Sequence, residues 1–144
     1  EILLLPGRWE FEQFEAWAPS SYWAAPGVKQ AAIAVEYEPF EGRSDYAESE
    51  GGGYYAGRFA VAKALAERGR QARVIIFREI GEQYKMPVGV WQVRQSVEEA
   101  LKSSPQKFSS LNDALGVLRT RLRNQLEKYT SLSTVLRQRK LVDF

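Results

Sequence analysis

The segment "QARVIIFREI", Gln71–Ile80, limits the fold of this chain more than any other. Val74, Ile75, Ile76 and Phe77 stand in an unbroken row, ended by the charged Arg78 and Glu79. A short continuous run of β-branched and aromatic residues reads as a strand covered on both faces, because a solvated face would interrupt it with polar residues. Just before it comes "YYAGRFAVAKALAERG", a helical pattern that places Tyr55, Phe59, Ala62 and Ala66 on one face and stops at Gly69. Ile2–Leu5, closed by Pro6-Gly7, and Ala31–Glu38 read as two further strands. The glutamates near the start of "RWEFEQFEAWA", with Phe14 and Trp17 three apart, predict a helix over residues 8–18. Further on, helices are expected over residues 92–102 and after the Ser110–Asp113 capping pattern, where Leu111, Leu115, Leu118 and Leu122 form a stripe. The expected class is therefore α/β: a small, mainly parallel sheet covered by helices, with a helical C-terminal part and a short peptide tail. Residues 1–129 are expected to form one domain and residues 130–144 a tail.

The 144 residues include no cysteine and no histidine, which excludes disulfides, thiolate nucleophiles, Cys/His zinc sites and Ser-His-Asp catalysis. No apolar run approaches the length of a membrane span, so no membrane partner is expected. The chain opens directly in a strand pattern, and it is expected to be a piece of a longer protein. Residues 1–60 hold ten acidic and four basic side chains, and the remainder eight acidic and sixteen basic. A basic half can track phosphates, and Arg119, Arg121, Arg123 and Lys128 are the residues placed to do so; they also suit the solvated face of the Leu-striped helix.

In open α/β sheets, ligands collect beyond the carboxyl ends of the strands. Those ends supply Arg8, Glu36, Glu38, Arg78 and Glu79, and the loop "GRSDYAESEGGGYYAGR" adds Arg43, Asp45, Gly51, Gly52, Gly53, Tyr54 and Arg58. Glycines ahead of a helix permit close backbone approach, and a helix N-terminus offers free N–H groups to an anion. Arg8, Arg43, Gly51, Gly52, Gly53, Tyr54, Arg58 and Arg78 are thus candidates for binding phosphate or nucleic acid. The triplet lacks the Lys-Ser/Thr of a P-loop and the spacing of a dinucleotide fingerprint, and it also serves as a plain flexible turn. Glu36, Glu38, Asp45 and Glu79 are candidate catalytic carboxylates, able to hold Mg²⁺ or Mn²⁺ if the chain is a nuclease. The same residues also suit ion pairing with the neighbouring arginines. Of the aromatics, Trp17 and Trp91 read as core, whereas Tyr22 and Trp23, in a loop between prolines, suit contact with a partner.

The chain closes on "QRKLVDF", residues 138–144, with the pattern Gln-x-x-aliphatic-x-x-aromatic. One short helical turn would set Leu141 and Phe144 side by side as an apolar plug, with Gln138 beside them for a polar subsite. This is the pattern by which replication and repair proteins dock on the sliding clamp (PCNA), here with a single terminal aromatic. "LLLPGRWEFEQFEAWAPSSYW", "GRSDYAESEGGGYYAGRFAV" and "FREIGEQYKMPVGVWQVRQSVEEAL" resemble the C-terminal domain of the archaeal Nre DNA repair family, over most of residues 2–102. The resemblance implies a role in DNA damage repair, DNA and the clamp as partners, and a cytoplasmic, nucleoid-associated protein. It also implies an N-terminal domain absent from this chain. It supplies no catalytic residues and no cofactor.

Overall fold

The computed structural model describes residues 1–22, 24–86 and 88–138. Four strands, β1 (Ile2–Leu5), β2 (Glu10–Trp17), β3 (Ala32–Glu38) and β4 (Arg73–Ile80), form one sheet in the order β1-β4-β2-β3. The central pair, β2 and β4, is parallel, while β1 runs antiparallel to β4 and β3 antiparallel to β2. The sheet is therefore mixed, which corrects the expectation of a mainly parallel one. The cause is β2: the segment expected to be a helix over residues 8–18 is the most buried strand of the sheet. Its glutamates suggested a first helical turn, but "EFEQFEAW" alternates two rows, Phe11, Gln13 and Glu15 on one face, Glu12, Phe14 and Ala16 on the other. Both rows are buried, and packing on both faces overrides local propensity.

Helices cover each face. α1 (Gly52–Glu67) and α2 (Trp91–Lys102) pack on one, around Phe11, Tyr54, Val61, Val74 and Ile76. α3 (Leu111–Arg121), α4 (Leu126–Leu132) and α5 (Thr134–Arg137) cover the other, around Phe14, Phe77, Leu118 and Tyr129. In that second core the rings of Phe14, Phe77 and Tyr129 lie 5.3–5.4 Å apart, Tyr129 edge-on to both phenylalanines. The Ser110 cap forms as expected, its hydroxyl accepting from the Asp113 N–H at 3.1 Å. The domain boundary expected at 129 falls inside α4, and beyond it Ser133 and Val135 are buried against the sheet.

α1 turns a different face inward from the one expected. Tyr55 and Phe59 are exposed, and the buried row runs through Gly53, Gly57, Ala60 and Val61. A Cβ at Gly53 would stand 3.1 Å from Glu15 Oε1, and one at Gly57 would run into Gln13 Oε1. The two glycines let the helix settle directly on the polar row of β2. Trp91, expected in the core, is 61% exposed; Trp17 is half-buried, edge-on to Tyr84 at 5.8 Å. No helix among the described residues is long and apolar enough to cross a membrane.

Candidate functional site

The antiparallel β3 separates residues that a parallel sheet would have collected. Glu38 pairs in register with Phe11, at the amino end of β2, whereas Glu79 and Ile80 close the far end of β4. Alternation then puts Glu79 on the α3–α5 face and Glu36, Glu38 and Arg78 on the α1–α2 face. The four candidate carboxylates Glu36, Glu38, Asp45 and Glu79 do not meet, and among the described residues no three acidic side chains converge to hold a metal ion.

The geometry gives each of those carboxylates its own partners. Glu36 accepts from Arg43 Nη1 at 2.8 Å and from the Ser49 N–H at 2.8 Å. Glu38, 3% exposed, receives a fork from Arg58 (Nε at 2.6 Å, Nη2 at 2.7 Å), the Tyr54 hydroxyl at 3.1 Å and Trp9 Nε1 at 3.1 Å. Burial alone would raise the Glu38 pKa; Arg58, Trp9 and Tyr54 together outweigh it and hold the carboxyl below its ordinary value. Burial and the Glu38 charge push the Tyr54 phenol well above its ordinary value. Tyr54 and Arg58, four residues apart, do face one side, but that side is Glu38 rather than the glycine loop. Asp45 accepts from the Ser44 hydroxyl at 3.0 Å. Arg8 stacks on Phe40, 3.4 Å from the ring centroid.

Gly51, Gly52, Gly53 and Arg78 line one open cleft of about 940 Å³, between the α1 N-terminus, α2 and the carboxyl ends of β2 and β4. Its ionic lining is mainly acidic: Glu1, Glu15, Glu48, Glu50 and Glu79 against Arg78, whose guanidinium is already paired with Glu15. Arg78 is therefore not a free cation for a phosphate there. Sequence reasoning missed two of the cleft's acids, Glu15 and Glu50, and Gln13 buried behind Glu50; the only signal was the i, i+2 spacing of Gln13 and Glu15 in a strand taken for a helix. Glu50 Oε2 accepts from Gln13 Nε2 at 2.8 Å, while Glu50 Oε1 and Gln13 Oε1 are buried without a protein partner. Burial, then the nearby Glu15 charge, pushes Glu50 up to about 9, so that it is a neutral acid at pH 7. Burial raises Glu15 as well, against the pull of Arg78.

A pH dependence follows. Between the unfolded carboxyl value near 4.5 and the folded value near 9, the folded chain binds one proton more than the unfolded chain, so stability falls as pH rises through that window. Glu50→Gln removes this loss. Its melting temperature relative to the unsubstituted chain is expected to improve by about 3 °C or more between pH 5 and pH 9, the equivalent of roughly 1 kcal/mol. Parallel melting curves at the two pH values would refute an uncharged Glu50.

Gln138 stands exposed just past α5, its Oε1 accepting from Arg73 Nη2 at 3.0 Å and its Nε2 donating to the Tyr37 hydroxyl at 3.2 Å. Leu141, Phe144 and Trp23 lie outside the described residues. Tyr22 is 48% exposed. Arg119 pairs with Glu127, and Arg121 reaches Glu1 at 3.3 Å and Gln106 at 3.0 Å.

The family described as "Archaeal Nre, C-terminal" matches residues 38–144. DNA repair protein NreA of Haloferax volcanii is 39% identical over 114 residues, 79% of this chain and 27% of the relative. DNA repair protein NreA of Archaeoglobus fulgidus is 38% identical over 139 residues, 93% of this chain and 34% of the relative. NreB of the same organism is 33% identical over 145 residues, 99% of this chain and 36% of the relative. The chain thus spans about a third of the length of these relatives. No solved structure matches it significantly. With three quarters of its residues inside the family's C-terminal region and relatives that align along most of its length, this chain belongs to the archaeal Nre family.

Proposed function

We propose that this chain acts in DNA repair and is brought to DNA by the sliding clamp, through Gln138, Leu141 and Phe144. The observation that carries the reading is the ending "QRKLVDF" on a chain whose relatives bear the name DNA repair protein. The physics is that of a short helical plug: two apolar side chains three residues apart enter one apolar pocket, and a carboxamide satisfies polar groups at its rim. Arg139 and Lys140 between them add positive charge, which speeds encounter with an acidic ring surface. DNA is the second partner in this reading, and the domain built on the mixed sheet is what the clamp delivers to it.

The test is calorimetric titration of this chain into an archaeal sliding clamp. Leu141→Ala combined with Phe144→Ala removes both anchors and is expected to weaken binding by at least about 100-fold. Because the two positions follow α5, the melting temperature should stay put. Undiminished affinity in the double variant would eliminate the clamp contact.

A further inference from the structure

A second, smaller groove opens on the α3–α5 side of the sheet, at the carboxyl ends of β2 and β4. It measures about 270 Å³, and its ionic lining is Lys29, Arg123, Lys128 and Glu79. Three separate segments supply the cations: the β2–β3 loop, the α3–α4 connection and α4 itself. Elsewhere among the described residues, seven of eleven arginines are tied to a carboxylate: Arg43 to Glu36, Arg58 to Glu38, Arg73 to Glu10, Arg78 to Glu15, Arg94 to Glu98, Arg119 to Glu127 and Arg121 to Glu1. In the groove that pattern stops. Among the described residues neither Lys29 nor Arg123 has a carboxylate partner, and the Lys128 ammonium donates only to the Gln30 carboxamide, at 3.1 Å.

The one acid of the groove is fully engaged. Glu79 accepts from the backbone N–H of Arg123 at 2.7 Å and of Asn124 at 2.9 Å, from Asn124 Nδ2 at 2.9 Å and from the Tyr129 hydroxyl at 2.7 Å. Burial would raise its pKa, but these donors prevail and keep it ionised. Glu79 thus pins the α3–α4 connection to the end of β4 without claiming any of the three cationic heads. The Arg123 guanidinium lies over Gly81, where a Cβ would stand 2.9 Å from its Nη1. The groove therefore has a fixed floor and a surplus of two positive charges, the reverse of the acidic glycine-loop cleft.

We propose that this groove, through Lys29, Arg123 and Lys128, binds phosphate oxyanions of a nucleic-acid backbone. Two features favour a backbone over a free anion: the groove is open and its cations come from three segments, which suits successive phosphates along a strand. The choice of nucleic acid as the source rests on the DNA repair reading, whereas the affinity for phosphate rests on the groove alone. Of the basic residues expected from sequence, Arg119 and Arg121 are spent on internal pairs, and Lys29 takes their place.

The experiment measures fluorescence anisotropy of labelled single-stranded and duplex DNA with this chain, between about 50 and 200 mM salt. The set Lys29→Glu, Arg123→Glu, Lys128→Glu is compared with a charge-matched control, Lys63→Glu, Arg68→Glu, Arg70→Glu, at the end of α1. The groove set is expected to lose at least about tenfold more affinity than the control, and its log–log salt slope on duplex to shrink by about 3. Should charge reversal prevent folding, the alanine set at the same three positions is read instead, with the same ranking. Equal losses in groove set and control, or no DNA binding by the unsubstituted chain, overturn the proposal. Phosphorus NMR with inorganic phosphate separates the sources: groove-dependent binding of free phosphate without a groove-dependent loss of DNA affinity overturns the backbone assignment. The groove set should keep its clamp affinity and the Leu141/Phe144 variant its DNA affinity, so either reading can fail without the other.

Discussion

Glu38→Ala is expected to lower the stability of this chain by about 3 kcal/mol and its melting temperature by roughly 10 °C. The carboxylate is nearly inaccessible, and four donor groups from three side chains converge on it. Truncation leaves the buried Tyr54 hydroxyl and the partly buried Trp9 indole N–H without their acceptor, and an unsatisfied buried donor costs about 1–3 kcal/mol. The Arg58 guanidinium loses less, since its side chain is 37% exposed and can turn to water. For that reason Arg58→Ala should cost less than Glu38→Ala: the carboxylate then keeps Tyr54 and Trp9. Urea titrations of the two variants give the comparison, and a Glu38→Ala midpoint no lower than that of Arg58→Ala would show that the node does not hold α1 on the sheet. The sign with pH is fixed as well. Because the folded pKa of Glu38 is depressed, its contribution is complete above the unfolded carboxyl value and disappears as pH falls through the folded value.

How far the sequence revealed this architecture depends on where each segment finds its partners. β4 was legible because Val74–Phe77 need nothing from elsewhere to read as a strand buried on both faces. The Ser110 cap was legible because donor and acceptor are three residues apart. β2 was not, because Glu12 and Glu15 look like the polar side of a helix until their partners are known, and those partners are Ser133 and Arg78, 121 and 63 residues away. The strand-end carboxylates show the same limit. Glu36, Glu38 and Glu79 were visible as charges at the ends of strands, but the antiparallel course of β3 sends Glu38 to the opposite end of the sheet from Glu79 and leaves Glu36 beside the middle of β2. The glycine triplet drew the eye by composition, yet Gly57, outside the triplet, lies against Gln13 and has the more demanding position. Among the basic residues, the sequence named Arg123 and Lys128 but could not pair them with Lys29, which enters their groove through the β2–β3 loop. The ending "QRKLVDF" is legible as a local pattern, since all its parts lie within seven residues.

Glu12→Ala is the other substitution with a large expected cost, again about 3 kcal/mol, and it separates the scaffold from the proposed clamp contact. Glu12 is fully buried in the middle of β2, where its carboxylate receives the Ser133 hydroxyl, the Thr134 N–H at 2.6 Å and the Val135 N–H at 3.4 Å. Burial pushes its pKa up, and these three donors pull the other way. α5 has only four residues, too few to hold itself together, so the strand carboxylate and the Ser133 cap onto Leu136 fix its first turn. With alanine in place, Ser133 and two backbone N–H groups lose their acceptor where Glu12 and Ser133 are closed off from solvent, and Val135 loses its seat in the second core. Amide exchange at Val135 and Leu136 should rise toward the rate of an unfolded segment, ahead of any change in β4. The bond between the Val135 carbonyl and Arg73 Nη2, and with it the hold of Arg73 on Gln138, loosens at the same time. In the proposed clamp reading Leu141 and Phe144 carry the contact, and Glu12 touches neither the partner nor those anchors. Affinity for the clamp should therefore stay within about threefold while the unfolding midpoint falls. A matching collapse of clamp affinity would mean that residues 138–144 bind only when α5 presents them.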